Sequence, residues 1–342
     1  MKPGRCFGLR AFRLIEIWRD EAPGERRAAL VEGGHLLEIH IQRDVHWVLG
    51  ECGAGRIDRK TPSGAYIIAD SGSELLLRSK ISDPEGARVA FEVIREAISE
   101  PGRTKPPEIM LRNNLPDPLP QMDALWNNRL SLPGQKTVAA SIASGFDVAL
   151  AGQSIVGDVT VSFQRTKAGL VFDVDGIGNA FAINSVAATE IARLLRLYQI
   201  GAMVMMDFVS MEAKMQRTQI AEIFDDASTL DGRPFERTAI NGYGMMQVVR
   251  ARPRPSVLDH LFGTRIAALS DETQAYWLLR AVATSSGFGP RTVTARPDVA
   301  QLLQSGQWAQ WRAEAIRLSG ADMVVVADEK TSGYGQVHVA QS

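Results

Sequence analysis

The first third of the chain is a series of short runs in which hydrophobic and polar residues alternate. These runs cover residues 13–95, and turn residues such as Gly33-Gly34 and the segment Pro62 to Gly64 separate them. Many short strands joined by turns are typical of a small antiparallel barrel or sandwich. The pattern therefore predicts a β-rich domain over residues 1–100, and taken alone it is equally compatible with a purely structural role.

A change in proline content marks the next boundary. Six prolines lie between residues 101 and 120, and a proline neither fits a helix interior nor donates a hydrogen bond to a central strand. We expect an extended linker over residues 101–121. The weaker pattern that follows predicts one helix near 135–144 and then a strand.

Strand-like and helix-like patterns alternate in the middle of the chain. The predicted strands cover 158–163, 169–175 and 202–209, and the predicted helices cover 187–197 and 211–227. In the first helix the apolar stripe is formed by Ile191, Leu194, Leu195 and Tyr198. This alternation predicts a mixed α/β core over residues 122–265.

The last part of the chain, residues 266–342, has the pattern of a small α/β subdomain. Its predicted helices cover 271–284 and 299–304, and its predicted strands cover 291–296, 321–328 and 335–341. The whole chain is therefore expected to be an α+β or α/β protein with a β-rich beginning.

Composition narrows the class of protein. The 342 residues are 45% hydrophobic and 23% charged, with 38 Lys and Arg against 39 Asp and Glu. Proteins that coat nucleic acid are usually basic, so any contact with RNA or DNA must use a local patch. The two cysteines exclude a disulfide framework and a four-cysteine zinc site. With no long apolar run and no signal-peptide pattern, we expect a cytoplasmic protein without a membrane partner.

Three aspartates follow or end the apolar strand patterns. Asp173 and Asp175 are two apart, so they share one face of a strand, and Asp207 ends the run of residues 202–206. If these strands are parallel neighbours joined by the 187–197 helix, the three carboxylates meet where open α/β sheets bind ligands. Such an oxygen-only cluster suits Mg²⁺ or Mn²⁺. The alternative is that the acids are ordinary helix caps or turn residues.

Basic residues follow the aspartates. Lys214 and Arg217 lie on the polar side of the helix after Asp207, and Arg250, Arg252 and Arg254 alternate along a later segment. A spaced row of cations is suited to phosphate contacts. A solvated sheet edge protected by charge and proline explains the same pattern equally well.

Four motifs occur in one order along residues 169–257. They are VFDVD, the long segment NAFAINSVAATEIARLLRLYQIGAMVMMDFVSM, AKMQR and TAINGYGMMQVVRARPRPSV. This order resembles the catalytic core of the ribonuclease E/G family, in which an Asp-x-Asn or Asp-x-Asp strand precedes an EIARQLRLR-type helix and an Asp-Phe strand end. The segments RRAALVEGGHLLEIHIQR and GRIDRKTPSGAYIIADSG also resemble that family's opening strands and its OB-type RNA-binding barrel.

The resemblance implies catalytic roles for the three aspartates. Asp173 and Asp207 match the pair that holds the catalytic Mg²⁺, with Mn²⁺ as a substitute. Asp175 stands where many members have an asparagine that positions the metal-site groups and the scissile phosphate. The implied fold is an OB-type barrel followed by a mixed α/β metal-dependent nuclease domain and a small α/β tail.

The resemblance also implies an RNA-binding surface. Arg217 matches the basic residue after the metal strand, and Tyr66 or Ile68 falls near the barrel aromatic that stacks on a base. Arg250 and Arg252, together with the barrel, would hold the strand. Stacking of this kind favours single-stranded RNA.

Several features depart from the family pattern. The segment that carries the 5′-monophosphate pocket in larger members is reduced to the proline-rich stretch and a short continuation, and Ser210 replaces the second acid of an Asp-Phe-x-Asp motif. No cysteines for a zinc link follow residue 257, so no zinc is expected. A homodimer remains an alternative, but it would not be joined by zinc.

Two main hypotheses follow. The first is a compact metal-dependent endoribonuclease that cleaves single-stranded RNA and leaves a 5′-phosphate and a 3′-hydroxyl, in RNA processing or decay. The second is an RNA-binding protein that has kept the fold and lost efficient catalysis. A metal-binding structural protein with no nucleic-acid partner is a third alternative.

Overall fold

The computed structural model describes residues 15–44, 47–113 and 135–339, with backbone only at 135–137. These parts contain a three-stranded meander, a closed barrel, a two-stranded hairpin, a six-stranded central sheet and a second three-stranded sheet, together with helices. No helix among the described residues is both long enough and apolar enough to cross a membrane.

The chain begins with an antiparallel three-stranded meander. Its strands are β1 (Ile15–Ala22), β2 (Glu25–Glu32) and β3 (His35–Arg43), in the order β1-β2-β3. The buried side chains of Trp18, Val31 and Ile39 belong to the same core as the central α/β sheet. The β-rich domain over residues 1–100 stays a prediction. The buried face of this meander packs in the core of the central sheet, and strand periodicity shows that one face is buried but does not show against which layer.

A closed five-stranded barrel follows the meander. It consists of β4 (Cys52–Thr61), β5 (Gly64–Ala69), β6 (Glu74–Leu77), β7 (Arg88–Arg95) and, after a small hairpin, β10 (Glu108–Arg112). The strand order is β10-β6-β5-β4-β7. Gly64 is required at the turn into β5, because a Cβ atom there would collide with the Leu77 carbonyl group. Five strands are the number found in the OB fold, which agrees with the predicted barrel.

The proline-rich stretch is not a linker at its beginning. The hairpin β8 (Ile98–Glu100) and β9 (Arg103–Lys105) occupies its start, and β10 pairs with both β6 and β7. Pro107 precedes β10 and uses its carbonyl oxygen to accept a hydrogen bond from the Leu76 N–H. The prolines therefore flank the strand without interrupting its ladder. Residues 114–121 of the predicted linker lie outside the described residues.

The central layer is a six-stranded sheet with the order β11-β12-β13-β14-β16-β15. Its strands are β11 (Gln153–Val156), β12 (Val159–Arg165), β13 (Leu170–Gly176), β14 (Ala202–Asp207), β15 (Phe235–Arg237) and β16 (Met245–Arg250). The helices around it are α1 (Gln135–Ser144), α2 (Asp147–Ala151), α3 (Ala180–Leu197), α4 (Lys214–Ser228) and α5 (Val257–Phe262). The predicted succession of strand, helix, strand and helix is present, and only the β13–β14 pair is parallel within this sheet.

Alternation along β13 decides which face of the sheet is covered. Leu170, Phe172 and Val174 are buried beneath α3, as the sequence predicts, while Asp173 and Asp175 are exposed on the opposite face. Helix α3 starts seven residues before the predicted 187–197 helix, because the Asn179 side chain caps it by accepting hydrogen bonds from two backbone N–H groups.

The C-terminal part has a separate core around Tyr276, Trp308 and Trp311. It contains α6 (Asp271–Thr284), β17 (Arg291–Ala295), α7 (Pro297–Gln304), α8 (Ala309–Ser319), β18 (Met323–Ala327) and β19 (Gln336–Val339), with the sheet order β18-β17-β19. Helix α8 is absent from the sequence prediction. It buries only Trp311 and Ala315, so its apolar stripe is too narrow to stand out.

Candidate functional site

Two aspartates lie side by side at one edge of the central sheet. Strands β13 and β14 are parallel, α3 connects them, and Asp173 is the register partner of Asp207. Asp175 is two residues beyond Asp173 on the same strand and shares its face. The arrangement expected from the sequence, with acids at the carboxyl ends of neighbouring parallel strands, is therefore present.

The proximity of these carboxylates changes their protonation. The pKa of Asp173 is raised, first by partial burial and then by the negative charges of Asp175 and Asp207, and a hydrogen bond from the Val174 backbone only partly offsets this. Like charges so close together are stabilised by a proton or a cation. This donor set is chemically suited to a hard divalent ion.

The geometry does not complete a metal site from side chains alone. Within residues 15–44, 47–113 and 135–339, no group of three or more His, Cys, Asp and Glu residues is arranged to hold a metal ion. Asp173 and Asp207 supply two carboxylates, so any remaining ligands would be water or substrate oxygens, as is common for Mg²⁺.

A buried asparagine holds the segment that follows Asp207. Asn184 on α3 is 0% exposed, and its Nδ2 donates to the Val209 carbonyl at 2.7 Å while its Oδ1 accepts from the Val209 N–H at 3.0 Å. The sequence reasoning missed this residue. Its signal was a polar side chain on the apolar face of a helix, three residues before Ala187 and seven before Ile191.

Arg217 holds the same segment from the other side. Its Nη1 donates to the carbonyls of Met211 at 2.6 Å and Glu212 at 2.8 Å. Lys214, the first residue of α4, is exposed, and its ammonium group has no hydrogen bond or ion pair to any described residue. Lys214 is therefore available to a ligand, while Arg217 uses its Nη1 to support the loop; that either residue binds RNA stays a prediction.

Arg250 and Arg252 lie at the opposite end of the sheet from the aspartates. Arg250 pairs with Ala202 at the start of β14, whereas Met245 pairs with Asp207 at its end. The five intervening steps along the strand correspond to roughly 17 Å. The structure therefore does not bring these arginines to the carboxylates.

Ion pairs already occupy both of these guanidinium groups. Arg250 is buried against Asp231, and Arg252 contacts Glu100 at 3.1 Å and Asp259 at 2.7 Å. The expected row of phosphate contacts stays a prediction, and in the structure both side chains have carboxylate partners from distant segments.

Tyr66 lies on β5 of the barrel, away from the central sheet. The guanidinium carbon of Arg59 is 3.9 Å from the centroid of its ring, and Arg59 also contacts Glu74 at 3.1 Å. Stacked arginine and tyrosine side chains can contact nucleobases. Tyr66 and the aspartates thus belong to two separate surfaces.

Comparison with known proteins identifies the segment that contains the aspartates. Residues 164–253 match the model of the Ribonuclease E/G family. The match begins in β12 and continues just beyond β16, so it covers the sheet strands and both helices that position Asp173 and Asp207.

Individual proteins match at modest identity. The chain is 34% identical over 80 residues to Ribonuclease E of Nostoc sp., which is 23% of this chain and 12% of that protein. It is 29% identical over 105 residues to the chloroplastic Ribonuclease E/G-like protein of Arabidopsis thaliana, or 28% of this chain and 10% of that one. Over 144 residues it is 29% identical to Ribonuclease E of Haemophilus influenzae, which is 39% of this chain and 15% of that protein. The matched parts therefore span only a small share of these longer relatives.

Proposed function

We propose that this chain, whose residues 164–253 match the model of the Ribonuclease E/G family, is an endoribonuclease acting on single-stranded RNA. The reaction takes place at the edge of the central sheet where β13 and β14 end. The observation that carries the proposal is the pairing of Asp173 with Asp207 on parallel strands. The products are a 5′-phosphate and a 3′-hydroxyl.

In this proposal Asp173 and Asp207 hold a Mg²⁺ or Mn²⁺ ion, and Asp175 orients groups beside it. The raised pKa of Asp173 supports cation binding, since partial burial and then the negative charges of Asp175 and Asp207 disfavour its ionised form, and a bound cation would favour it. A bound divalent ion supplies an activated water and neutralises charge on the phosphate.

The other residues bind and orient the RNA. Lys214 contacts a backbone phosphate with its ammonium group. That group has no partner among the described residues, and Lys214 is the first residue of α4, the helix that follows Asp207 in the chain. Asn184 and Arg217 keep the intervening segment in place. On the barrel, Tyr66 with Arg59 forms a stacking surface for bases farther along the strand.

The test is cleavage of a fluorescent, AU-rich single-stranded RNA with Mg²⁺, with Mn²⁺ and with a chelator. Asp207→Asn should reduce the metal-dependent rate by more than about 100-fold, because even residues that only support metal ligands cost 10- to 100-fold. RNA binding should persist, since the change removes a negative charge. The matched control is Glu236→Gln, which neutralises an exposed carboxylate on the same sheet. Cleavage that survives Asp207→Asn would contradict the proposal.

A second candidate function is RNA binding without efficient catalysis. It is favoured by Ser210, which stands where the family's Asp-Phe-x-Asp motif has its second acid. Tight RNA binding by both wild type and Asp207→Asn, with no cleavage by either in saturating Mg²⁺ or Mn²⁺, would support this candidate over the first.

A further inference from the structure

Tyr243 differs from the other four tyrosines of the chain, all of which lie in described segments. The side chains of Tyr66, Tyr198, Tyr276 and Tyr334 each stack on another side chain or donate a hydrogen bond. Tyr243 makes no such contact with the described residues, and it is 84% exposed. An aromatic ring with a polar hydroxyl is a large contact surface, and here the fold itself makes no use of it.

The loop that carries Tyr243 is attached to the carboxylate edge. Met245, two residues later, is the register partner of Asp207. The Phe208 N–H donates to the Gly244 carbonyl at 3.1 Å, and a Cβ atom on Gly244 would collide with the Phe208 carbonyl. From the rise along a strand and the spacing between strands, the backbone of Tyr243 lies within roughly 10 Å of that of Asp207.

Hydrogen bonds fix the conformation of this loop. The Asn241 Oδ1 accepts from the N–H groups of Tyr243 at 2.9 Å and Met245 at 3.1 Å, and the Gly244 N–H donates to the Asn241 carbonyl at 3.2 Å. The glycine has a φ of +93°, which an L-residue rarely adopts. The ring is thus presented by an ordered turn, so little backbone entropy is lost when a ligand stacks on it.

Two more apolar side chains are exposed along the same edge. Ile177 follows the end of β13 and is 86% exposed, and Met215 in the first turn of α4 is 71% exposed. Singly scattered apolar residues need no explanation, but Ile177, Met215 and Tyr243 come from three different segments that follow the strands carrying the carboxylates or precede the neighbouring strand β16. Flat apolar surface next to negatively charged groups that attract a cation suits a ligand with both aromatic rings and phosphates.

We propose that Tyr243 is a positioning residue that stacks on an unpaired nucleobase next to the phosphate that a divalent ion at Asp173 and Asp207 would bind. The inference rests on the proposed function and names a residue that would recognise its single-stranded substrate beside the carboxylates. A base that stacks on Tyr243 cannot be paired within a duplex stack, so the site selects a single-stranded nucleotide at this position. Stacking of this kind depends little on base identity.

The first test is binding of a short fluorescent single-stranded RNA in chelator, by anisotropy, so that cleavage does not interfere. Tyr243→Ala should weaken binding by about 5- to 150-fold, the range for loss of one base stack. Tyr243→Phe keeps the ring and should bind like wild type. The matched control is Phe288→Ala, which removes an aromatic side chain that is also 84% exposed but belongs to the C-terminal part.

A second readout separates stacking from a general loss of affinity. Tyr243→Ala should leave the slope of affinity against salt unchanged, whereas Lys214→Ala should reduce that slope by about one phosphate contact. A single abasic nucleotide scanned along the RNA should reproduce the loss at one position. At that position the effects of the abasic site and of Tyr243→Ala should not add.

The outcomes distinguish the inference from the proposed function. If wild type cleaves RNA with metal but Tyr243→Ala binds and cuts like wild type, the stacking role is wrong and the nuclease proposal stands. If Tyr243→Phe loses as much affinity as Tyr243→Ala, stacking is also overturned. If wild type neither binds nor cleaves single-stranded RNA, the proposed function fails, and the inference fails with it.

Discussion

Asp173 is destabilised by the same neighbours that make it suitable for a cation. Burial and the charges of Asp175 and Asp207 raise the pKa of its carboxyl group in the folded protein. A folded-state pKa above the unfolded value means that the ionised form costs folding free energy. At the residue scale, stability and the proposed activity therefore oppose each other.

Asp173→Asn should raise the Tm at neutral pH in the absence of divalent ions, because it removes the repulsion from both neighbouring aspartates. The gain is fully present above the raised pKa of Asp173. The gain should shrink as the pH falls through that raised pKa, because the wild-type carboxyl is then itself protonated. Thermal unfolding followed by circular dichroism across this pH range measures the effect.

The same unfolding experiment with Mg²⁺ gives an independent result. An ion that binds only the folded state raises the Tm with its concentration, so wild type should gain stability and Asp173→Asn should gain little. Glu236→Gln serves as the control and should respond like wild type. Two results together would count against cation binding here. Mg²⁺ would leave the wild-type Tm unchanged, and in saturating Mg²⁺ that Tm would not exceed the Tm of Asp173→Asn.

At the scale of elements, the unit formed by β13, α3 and β14 positions the site. The strands set the register of Asp173 and Asp207, and α3 covers the opposite face of the sheet with its apolar stripe. The one polar side chain that α3 buries completely, Asn184, bonds to the backbone just beyond Asp207. The helix thereby fixes the exit of the strand as well as packing on it.

Asn184→Ala should destabilise the protein by roughly 1–3 kcal/mol, because the partly buried Val209 N–H and carbonyl lose their hydrogen-bond partner. The proposed RNA cleavage should fall more steeply than the folded fraction, since the segment after Asp207 is no longer held. Chemical unfolding and cleavage rates at a temperature where the variant is folded measure the two effects. Thr189→Ala, on the exposed side of the same helix, should change neither by comparable amounts.

At the scale of the whole molecule, one buried carboxylate connects the beginning and the end of the chain. Glu25 in β2 is 1% exposed and contacts Arg27 at 2.8 Å, Arg43 at 2.9 Å and, at 3.5 Å, Arg280 of α6. Burial alone would raise the pKa of Glu25, but the three arginines outweigh it and lower that pKa to about 2.

Glu25→Gln should cost roughly 3–5 kcal/mol, because buried guanidinium groups are left without a counter-charge. The lowered pKa adds a pH dependence. The contribution of Glu25 is complete above its unfolded pKa near 4.5 and is lost as the pH falls through about 2. Denaturant unfolding at neutral pH measures the loss of stability in Glu25→Gln, and Glu21→Gln, which changes an exposed carboxylate, is the control. Equal stability of the two variants would show that the network is not important for folding.

Several parts of the fold and the site follow from local patterns. The boundaries of α1 and α6, the strand and helix order of the central core, and the adjacency of Asp173 and Asp207 all agree with the sequence predictions. These features depend on periodicity and on connection rules that act over a few dozen residues.

Other features depend on contacts that a pattern does not contain. The meander of β1–β3 packs on the central core and not in the barrel, and β10 completes the barrel from within the proline-rich stretch. The alternating Arg250 and Arg252 are used in ion pairs with acids from other segments. Long-range partners of this kind are separated by many residues, so local spacing gives no information about them.

The sequence by itself determined which faces of the strands and helices are apolar and where the carboxylates stand along them, because side-chain periodicity is a local property. Only the tertiary structure decided which cations remain available to a ligand, which polar side chains hold the loop after Asp207, and that Tyr243 stays without a partner. Those properties depend on which distant segments meet, and that is set by the packing of the whole chain.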